Sequence, residues 1–513
     1  MRRLTFVVLL LAATVYAAAP KKPRLILAVV IDQFRYDYLT RFRSEYHGGF
    51  DRLLVRGAVF TNARYQHFPT LTAPGHATFL TGATPSASGI VANEWFDRQE
   101  DRKVSSVVDY KTKLLGGGQM EGGSPRRLLV STLGDELKLS NGGKSRVIGI
   151  SLKDRAAILP AGHSADGAYW FDLKTGNFVT SDYYMKDLPQ WVKDFNAARP
   201  GDKYRGTTWM GHKLPEDLAA MYGNSTSSPF EASAYGNDVL YAFVEKALAN
   251  EPLGKDDYTD ILAVSFSSND KVGHDYGTFS KEAHEVTMQT DRLLDRLFQL
   301  LDRQIGMDNV LVVLTGDHGV SISAEEAAAN RMPGGRLGKD IVKQAAEAAL
   351  IKRYGAGEWI AGNWDGTVYL NLDTVAKKRL DVREVRQAAA DAAFTVPHVL
   401  RVYTCDQLAA GAIPVDDIGQ RVINGFSQRR SPDVTFIMEP YWMVTEAKSS
   451  THGSPFSYDS HVPVVLMGPW FRPGKYNGPA AVNDIAPTLA TLLEVETPSG
   501  SVGRVLTEAL TPQ

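Results

Sequence analysis

The sequence predicts a three-layer α/β sandwich with a mainly parallel central sheet that carries inserted segments. Short runs of Val, Ile and Leu recur along the chain, as is typical of strands buried on both faces of a parallel sheet. Between two of these runs, the apolar residues of Lys281–Arg303 recur at helical spacing. Strands that alternate with helices indicate an α/β sandwich.

Each predicted strand ends close to a polar residue or a glycine. In α/β sheets ligands bind beyond the carboxyl ends of the strands, so we expect these endings to meet at one rim. The five runs, each with the polar residue or glycine at or near its end, are Leu25–Ile31 with Asp32, Val147–Leu152 with Lys153, Ile261–Phe266 with Asp270, Val310–Thr315 with Asp317, and Val462–Met467 with Gly468.

Two long segments interrupt this alternation of strands and helices. Residues 161–257 are rich in Gly, Asn, Ser and aromatic residues. Residues 321–449 mix helix-like and strand-like pieces. We interpret residues 20–513 as a single catalytic domain in which both segments are insertions.

The first 19 residues are predicted to be a secretory signal peptide. Arg2 and Arg3 precede an apolar run of about 12 residues, and the small residues Ala17 to Ala19 follow it. A membrane span needs roughly 20 apolar residues, so this run is too short to be one. The sequence therefore predicts an exported protein, periplasmic or released into the medium, without stable membrane insertion.

The composition argues against a nucleic-acid partner and against a disulfide framework. The formal net charge is -2, and it becomes -4 when the positive charges of Arg2 and Arg3 leave with the signal peptide. A charge so near zero on so long a chain does not suit a protein that coats nucleic acid. The single cysteine, Cys405, cannot form an internal disulfide, so stability has to come from a large hydrophobic core.

Aspartate and histidine residues cluster at the predicted strand ends. Asp270 and His274 are four residues apart, so a helical turn puts both on one face. Three Asp and three His supply the oxygen and imidazole ligands of two zinc ions, with three protein ligands each and a position open for substrate. The six candidate ligands are Asp32, Asp270, His274, Asp317, His318 and His452.

A candidate nucleophile lies at a predicted helix start. Thr72 precedes the helix-like stretch Ala77–Thr81, and free N–H groups at a helix N-terminus attract anions such as phosphate. A threonine hydroxyl attacks only when a base or a metal removes its proton, so without metals Thr72 would be interpreted as a helix cap. Thr70 is the second candidate nucleophile, and His76 is predicted to orient this loop or a ligand.

The ligand near the last strand has two candidates. His452 lies in Thr-His-Gly-Ser-Pro, and His461 follows nine residues later, directly before the strand. We favour His452.

The motifs around these residues resemble those of the alkaline phosphatase superfamily. Within it the chain is similar to the type I phosphodiesterase/nucleotide pyrophosphatase family, and more narrowly to phosphate-insensitive bacterial alkaline phosphatases with a threonine nucleophile. The resemblance covers nearly the whole chain after the signal peptide. The motifs are Val-Val-Ile-Asp32-Gln-Phe-Arg, Pro-Thr-Leu-Thr72-Ala-Pro-Gly-His, Gly-Ile-Val-Ala-Asn93-Glu-Trp, Ser-Leu-Lys153-Asp-Arg155, Asn-Asp270-x-x-Gly-His274, Gly-Asp317-His318-Gly and Thr-His452-Gly-Ser-Pro.

The resemblance implies an alkaline phosphatase-like fold and two zinc ions per active site. One zinc would stabilise the leaving group and activate the attacking water, and the other would activate Thr72, which faces it. The implied ligands are Asp270, His274 and His452 for the first zinc, and Asp32, Asp317 and His318 for the second.

The resemblance also implies which residues bind the phosphoryl group. Asn93 and Arg155 would bind the non-bridging oxygens. Lys153 would stand where the enteric type of alkaline phosphatase holds magnesium. On an extended strand end, Lys153 and Arg155 would point the same way and offer positive charge to a phosphate monoester. This chain has Ser88-Gly-Ile where relatives often have His-Gly-Ile, which alters a local contact near Asn93.

The predicted function is hydrolysis of small-molecule phosphate monoesters through a phosphothreonine, with diester hydrolysis as a slower side activity. The first alternative is a phosphodiesterase or nucleotide pyrophosphatase of the same fold. A sulfatase would need a Cys-x-Pro-x-Arg context, whereas Cys405 is followed by Asp-Gln-Leu. A phosphoglycerate mutase would be cytoplasmic and use serine. A secreted metal- or phosphate-binding protein would have no need of Thr72, Lys153 and Arg155.

Overall fold

A large sheet forms the middle layer of the computed structural model, which describes residues 22–118, 121–364, 367–445 and 449–511. The predicted signal peptide, residues 1–19, lies outside the described residues. Within those ranges the sheet has eleven strands, in the order Gly474–Tyr476, Ala58–Phe60, Val464–Met467, Val310–Gly316, Leu25–Ile31, Asp260–Phe266, Val147–Ser151, Gly167–Asp172, Asn177–Ser181, Val108–Leu115 and Glu121–Gly123.

Five neighbouring strands of this sheet run parallel, from Val310–Gly316 to Gly167–Asp172. In this register Ile31 lies opposite Phe266 on one side and Gly316 on the other. The chain therefore leaves three adjacent strands at the same rim, which brings the segments that carry Asp32, Asp270 and Asp317 together.

Alternate residues of the central strand Leu25–Ile31 face two different hydrophobic layers. Leu25, Leu27, Val29 and Ile31 pack in one core with helices Gly49–Arg56, Ala234–Asn250 and Lys281–Gln304. Ile26, Ala28 and Val30 pack in the other with helices Leu133–Ser140 and Ile485–Leu493. Since side chains alternate across a strand, a strand that is apolar throughout needs a cover on both faces. The predicted three-layer sandwich is confirmed.

The last strand of the predicted rim runs the opposite way. Val464–Met467 pairs antiparallel with Val310–Gly316 and with Ala58–Phe60. The expectation that its carboxyl end at Gly468 joins the same rim is wrong, because that end lies at the opposite edge of the sheet. The amino end of the strand instead faces the rim, so the loop that precedes it carries His452 to the same place.

Both predicted insertions contain regular structure. Residues 161–257 contribute Gly167–Asp172 and Asn177–Ser181 to the central sheet and helix Ala234–Asn250 to its face. Residues 321–449 form a smaller sheet with its own apolar core, against which helices Ile341–Tyr354 and Val382–Phe394 pack. Its four described strands lie in the order Ile360–Trp364, Thr367–Leu370, Val434–Met438 and Val399–Thr404. The domain boundaries stay a prediction.

The remaining elements connect these layers. Two-stranded pairs are Ala63–Arg64 with Ala480–Ala481, Glu94–Asp97 with Arg102–Ser105, Thr208–Trp209 with His212–Lys213, and Gly335–Leu337 with Trp442–Val444. The other helices are Tyr36–Arg41, Thr72–Thr81, Pro85–Ser88, Asp154–Ala161, Gln190–Ala197, Leu218–Tyr222, Ser268–Tyr276, Ala324–Ala329, Leu372–Lys377, Cys405–Ala409, Asp417–Gly425 and Ser457–Ser460, with 3-10 turns at Asp202–Tyr204, Met307–Asn309 and Val482–Asp484. In the described ranges, no helix combines the length and apolarity that crossing a membrane requires.

Candidate metal centre and active site

Two aspartates face each other at the rim with oxygens that lack hydrogen-bond donors. Asp32 follows strand Leu25–Ile31 and Asp317 follows strand Val310–Gly316, and both side chains are buried. Asp32 Oδ1 and Asp317 Oδ2 have no hydrogen-bond partner among the described residues. Burial, together with the nearby Asp32 carboxylate, raises the pKa of Asp317 well above its ordinary value. A bound cation would relieve this repulsion, so the pair fits a metal site.

His318 presents one ring nitrogen to both of these carboxylates. Its Nε2 lies 3.3 Å from Asp317 Oδ2 and 3.5 Å from Asp32 Oδ1. Its Nδ1 lies 2.9 Å from the carbonyl oxygen of Gly319, which can only accept, so Nδ1 carries the hydrogen. Burial lowers the pKa of His318 to about 3, so the ring is neutral and Nε2 keeps the lone pair that a metal ligand needs.

A second group lies on the other side of His318. Helix Ser268–Tyr276 carries Asp270 and His274 one turn apart, with His274 Nε2 3.1 Å from Asp270 Oδ1. His452 Nε2 lies 3.7 Å from the same oxygen. His274 Nδ1 and His452 Nδ1 are each 2.9 Å from a backbone carbonyl, of Ser450 and Thr70 respectively. All three imidazoles are therefore oriented in the way that is usual for metal-ligating histidines.

The described residues that could hold a metal ion form two groups of three. One is Asp32, Asp317 and His318, and the other is Asp270, His318 and His452, with ligand atoms within 4.8 Å of one another. His318 belongs to both groups. The ligand set implied by the resemblance has His274 in the second group instead, and His274 reaches that group through its contact with Asp270.

Lys153 and Gln33 join the two groups. The Lys153 ammonium lies 2.5 Å from Asp32 Oδ2 and 2.5 Å from Asp270 Oδ2. Burial opposes its charge, but these two carboxylates outweigh burial and raise the pKa of Lys153 above its ordinary value. Gln33 donates from its backbone N–H to Asp317 Oδ1 at 3.0 Å and from Nε2 to Asp270 Oδ1 at 2.8 Å.

No sequence pattern predicts a role for Gln33. Its backbone adopts φ 60°, which is uncommon for a residue other than glycine. Space for its side chain depends on Gly273, where a Cβ atom would lie 1.8 Å from Gln33 Oε1. The pairing of Gln33 with the Gly of Asp-x-x-Gly-His is a three-dimensional signal that a single sequence does not display.

Thr72 is the first residue of helix Thr72–Thr81 and faces the metal-ligand groups. Its Oγ1 lies 3.5 Å from His318 Nε2, and the residue is buried. Leu71, not Thr72, occupies the N-cap position, so a capping role does not explain this threonine. Thr70 Oγ1 donates to the carbonyl oxygen of Ser454 at 2.8 Å. The hydroxyl group of Thr70 therefore links its own loop to the loop that contains Ser454.

The residues predicted to bind phosphate lie close to the nucleophile segment or at a second helix start. Asn93 Oδ1 accepts from the N–H of Ala73 at 2.8 Å, next to Thr72. Lys153 is the N-cap of helix Asp154–Ala161, and Arg155 lies in its first turn. The prediction of an extended strand end for Lys153 and Arg155 is wrong, because the strand ends at Ser151 and the chain turns into a helix.

Arg155 is more open to solvent than Lys153. Its side chain is 27% exposed, and its terminal nitrogen lies 3.6 Å from the Asp154 carboxylate. Its Nε is buried without a hydrogen-bond partner among the described residues. The two cations therefore differ: Lys153 is committed to carboxylates, whereas Arg155 is not bound tightly.

The other candidates take supporting positions. His76 lies between the carbonyl oxygen of Thr72 and Ser265 Oγ, at 2.9 Å from each, as a residue that orients the loop would. His461 contacts the carbonyl oxygen of Thr61 at 2.9 Å and belongs to neither ligand group. Burial raises the pKa of the Cys405 thiol to about 11, which disfavours the reactive thiolate.

Comparisons with known proteins identify the family and the fold of this chain. The family model for type I phosphodiesterase / nucleotide pyrophosphatase matches residues 26–462. The chain is 36% identical to alkaline phosphatase PhoV of Synechococcus elongatus, over 97% of this chain and 94% of that protein. It is also 36% identical to alkaline phosphatase PafA of Elizabethkingia meningoseptica, over 96% of this chain and 95% of that protein. The crystal structure of wild-type PafA superposes with a TM-score of 0.89 at 35% identity and covers 96% of this chain and all of that chain.

The chain therefore belongs to the type I phosphodiesterase / nucleotide pyrophosphatase family. The family, the fold class and the enzyme class predicted from the sequence are confirmed.

Proposed function

We propose that this enzyme is a zinc-dependent alkaline phosphatase that hydrolyses phosphate monoesters through a phosphothreonine on Thr72. The observation that carries the proposal is the position of Thr72 Oγ1, 3.5 Å from the ring nitrogen of His318 that borders both ligand groups. The near-full-length similarity to two alkaline phosphatases supports the same reaction.

Two zinc ions fit the donor set of the site. Neutral imidazoles and carboxylates are ordinary zinc ligands. The buried carboxylate oxygens of Asp32 and Asp317 that lack hydrogen-bond donors would be stabilised by a cation. When bound, zinc ions supply positive charge to the phosphoryl oxygens and lower the pKa of nearby hydroxyl groups and water. The residues that we assign to zinc are Asp270, His274 and His452 at one site and Asp32, Asp317 and His318, with Thr72 facing them, at the other.

The chain positions Thr72 for attack and orients the phosphoryl group. The bond from Ala73 N–H to Asn93 Oδ1 fixes the Asn93 amide one residue from the nucleophile. We assign the Nδ2 donors of Asn93 and the guanidinium of Arg155 to the non-bridging phosphoryl oxygens. Such fixed donors stabilise the charge that spreads over these oxygens during transfer.

Lys153 contributes positive charge without being free to move. Its ammonium lies between the carboxylates of Asp32 and Asp270 and partly neutralises both. Together with Arg155 it makes the site favourable for a dianionic monoester, whereas a diester carries less charge and a second substituent. We infer that the monoester is the faster substrate and the diester the slower one.

We also propose that residues 1–19 direct export and that the enzyme acts in the periplasm or the medium. Residues 20–513 then form one catalytic domain that acts on small-molecule phosphate monoesters and requires no nucleic-acid partner.

The test is a comparison of substrates on the purified protein. Initial rates with p-nitrophenyl phosphate and bis-p-nitrophenyl phosphate are measured at alkaline pH, before and after chelation and zinc add-back. We expect the monoester to react faster and zinc alone to restore the rate. A faster diester reaction would favour the phosphodiesterase alternative, and hydrolysis of neither ester would favour a binding protein.

A further inference from the structure

A cavity of about 320 Å³ opens beside Asn93, His274 and His452. We propose that this cavity binds the alcohol portion of the ester and selects aromatic or other apolar uncharged groups. The inference rests on the proposed phosphatase function and adds its substrate class. A volume of this size is within the range of small-molecule sites.

The cavity lies on one side of the metal-ligand groups. His274 and His452 line it, whereas Lys153, Arg155 and Asp32 do not. The groups that we assign to the phosphoryl oxygens and the space for the alcohol are therefore largely separate, with Asn93 at the border between them. An ester bound with phosphorus near Thr72 would extend its alcohol portion past the two histidines.

Apolar side chains from two parts of the chain form part of the walls of this cavity, and polar residues such as Asn93, Thr451 and Ser454 form the rest. Phe68 and Leu71 come from the segment that precedes Thr72, and Phe436, Trp442 and Met443 come from the predicted insertion of residues 321–449. Flat aromatic walls favour flat apolar ligands through burial and ring stacking.

Trp442 is held rigidly in this wall. Its ring stacks on the His398 imidazole with centroids 3.4 Å apart and planes inclined by 8°. On another side, a Cβ atom at Gly335 would lie 2.6 Å from the indole, so the backbone packs closely against it. His398 is in turn bonded to Glu439 at 3.0 Å. A ring fixed in this way loses little freedom when a ligand packs against it.

The charge of the cavity disfavours a second anionic group. Among the described residues that line it, none is Lys or Arg, and the acidic residue Asp459 is one of them. An alcohol that carries another phosphate or a carboxylate would find no Lys or Arg side chain among these described residues. An uncharged aromatic alcohol is therefore the class that suits the described lining.

Binding of non-hydrolysable phosphonates tests the inference separately from turnover. Benzylphosphonate and ethylphosphonate both replace the ester oxygen by carbon, and calorimetry gives their Kd values on the zinc-loaded protein. We expect benzylphosphonate to bind about tenfold more tightly than ethylphosphonate. In Trp442→Ala the two Kd values should become similar through loss of benzylphosphonate affinity alone. The Trp442→Phe variant, which keeps a ring, should retain most of the preference.

The matched control is Trp191→Ala, which removes a partly buried tryptophan from helix Gln190–Ala197, outside the cavity. It should leave both affinities unchanged. Equal binding of the two phosphonates to the wild-type protein, or equal weakening of both in Trp442→Ala, would overturn the inference. Failure of the proposed function looks different, because no monoester would then be hydrolysed, whatever the two Kd values are.

Discussion

The imidazole ring of His318 lies flat against that of His452, with centroids 3.5 Å apart and planes inclined by 14°. The two rings come from separate parts of the chain: His318 follows the parallel strand Val310–Gly316, and His452 precedes the antiparallel strand Val464–Met467. Through this contact the two clusters of candidate zinc ligands pack against each other, and the ring of His318 lies next to both clusters. A change at His318 should therefore disturb more of the site than a change at its edge.

Zinc content is expected to distinguish His318 from His274. His318→Ala removes an assigned ligand of one zinc whose ring also borders the other ligand group, whereas His274→Ala removes an assigned ligand that borders one group only. We predict that His318→Ala retains fewer zinc ions per chain than His274→Ala after equal dialysis, as measured by atomic emission. The control is His461→Ala, which should retain the wild-type content. Equal zinc loss in the His318 and His274 variants would contradict the shared position of His318.

Lys153→Ala and Arg155→Ala are expected to differ in stability but not in selectivity. Both should lower monoesterase activity far more than diesterase activity, because each removes positive charge near the phosphoryl group. Lys153→Ala should also lower the unfolding free energy of the zinc-free protein by about 3 kcal/mol, since it leaves two buried carboxylates without their cation. Arg155→Ala should change it little. Rates on both ester types and urea unfolding curves measure these effects. An equal loss of rate on monoesters and diesters would contradict the phosphate-binding roles assigned to Lys153 and Arg155.

Thr70→Val separates the two candidate nucleophiles. Thr70 Oγ1 bonds the carbonyl oxygen of Ser454, and Thr70 O receives His452 Nδ1. Losing the hydrogen bond to Ser454 should leave kcat within about tenfold of wild type, because one buried hydrogen bond contributes about 1 kcal/mol. The kcat of Thr70→Ser, which keeps the hydroxyl donor, should be closer to wild type than that of Thr70→Val. If Thr70→Val were inactive with zinc retained, Thr70 would become the better candidate.

His67 should make the protein sensitive to acid. Both of its ring nitrogens are buried without hydrogen-bond partners among the described residues. Burial, with a smaller effect of Arg421, lowers its pKa from 6.5 to about 3. The unfolded chain therefore takes up the proton first, and stability falls as the pH drops from about 6.5 towards 3.

The variant His67→Phe removes this protonation. Relative to wild type, it should gain about 2 kcal/mol of unfolding free energy between pH 7.5 and pH 5, at about 1.4 kcal/mol per pH unit. Urea unfolding of the two zinc-free proteins at both pH values measures the difference. A difference that does not change with pH would mean that His67 is protonated in the folded state.

Much of the fold and of the site follows from local sequence patterns. Uniformly apolar runs predicted the parallel strands, and the Asp and His residues after them predicted the rim, because strand ends of one direction meet at one edge. The direction of Val464–Met467 could not be predicted, since an apolar run reads the same in either direction. The helix that begins at Asp154 could not be predicted either, because Lys153 and Arg155 are as compatible with a strand end as with a helix start.

Long-range contacts account for the rest. Gln33 reaches Asp270, and Gly273 leaves it room, but the residues are more than two hundred positions apart in sequence. The cavity wall of Trp442 likewise depends on how the segment of residues 321–449 packs beside His452. Neither arrangement leaves a periodic pattern in the chain.

The phosphothreonine mechanism is tested most directly by locating phosphate on the enzyme during turnover. The zinc-loaded protein is mixed with p-nitrophenyl phosphate, quenched in acid within the first turnover, digested and mapped by mass spectrometry. We predict a phosphorylated peptide with the phosphate on Thr72. It should be absent from Thr72→Ala, which we expect to keep its zinc and to lose most of its activity. Turnover with no phosphate on Thr72, phosphate on Thr70 instead, or a near-normal rate for Thr72→Ala would contradict the phosphothreonine mechanism.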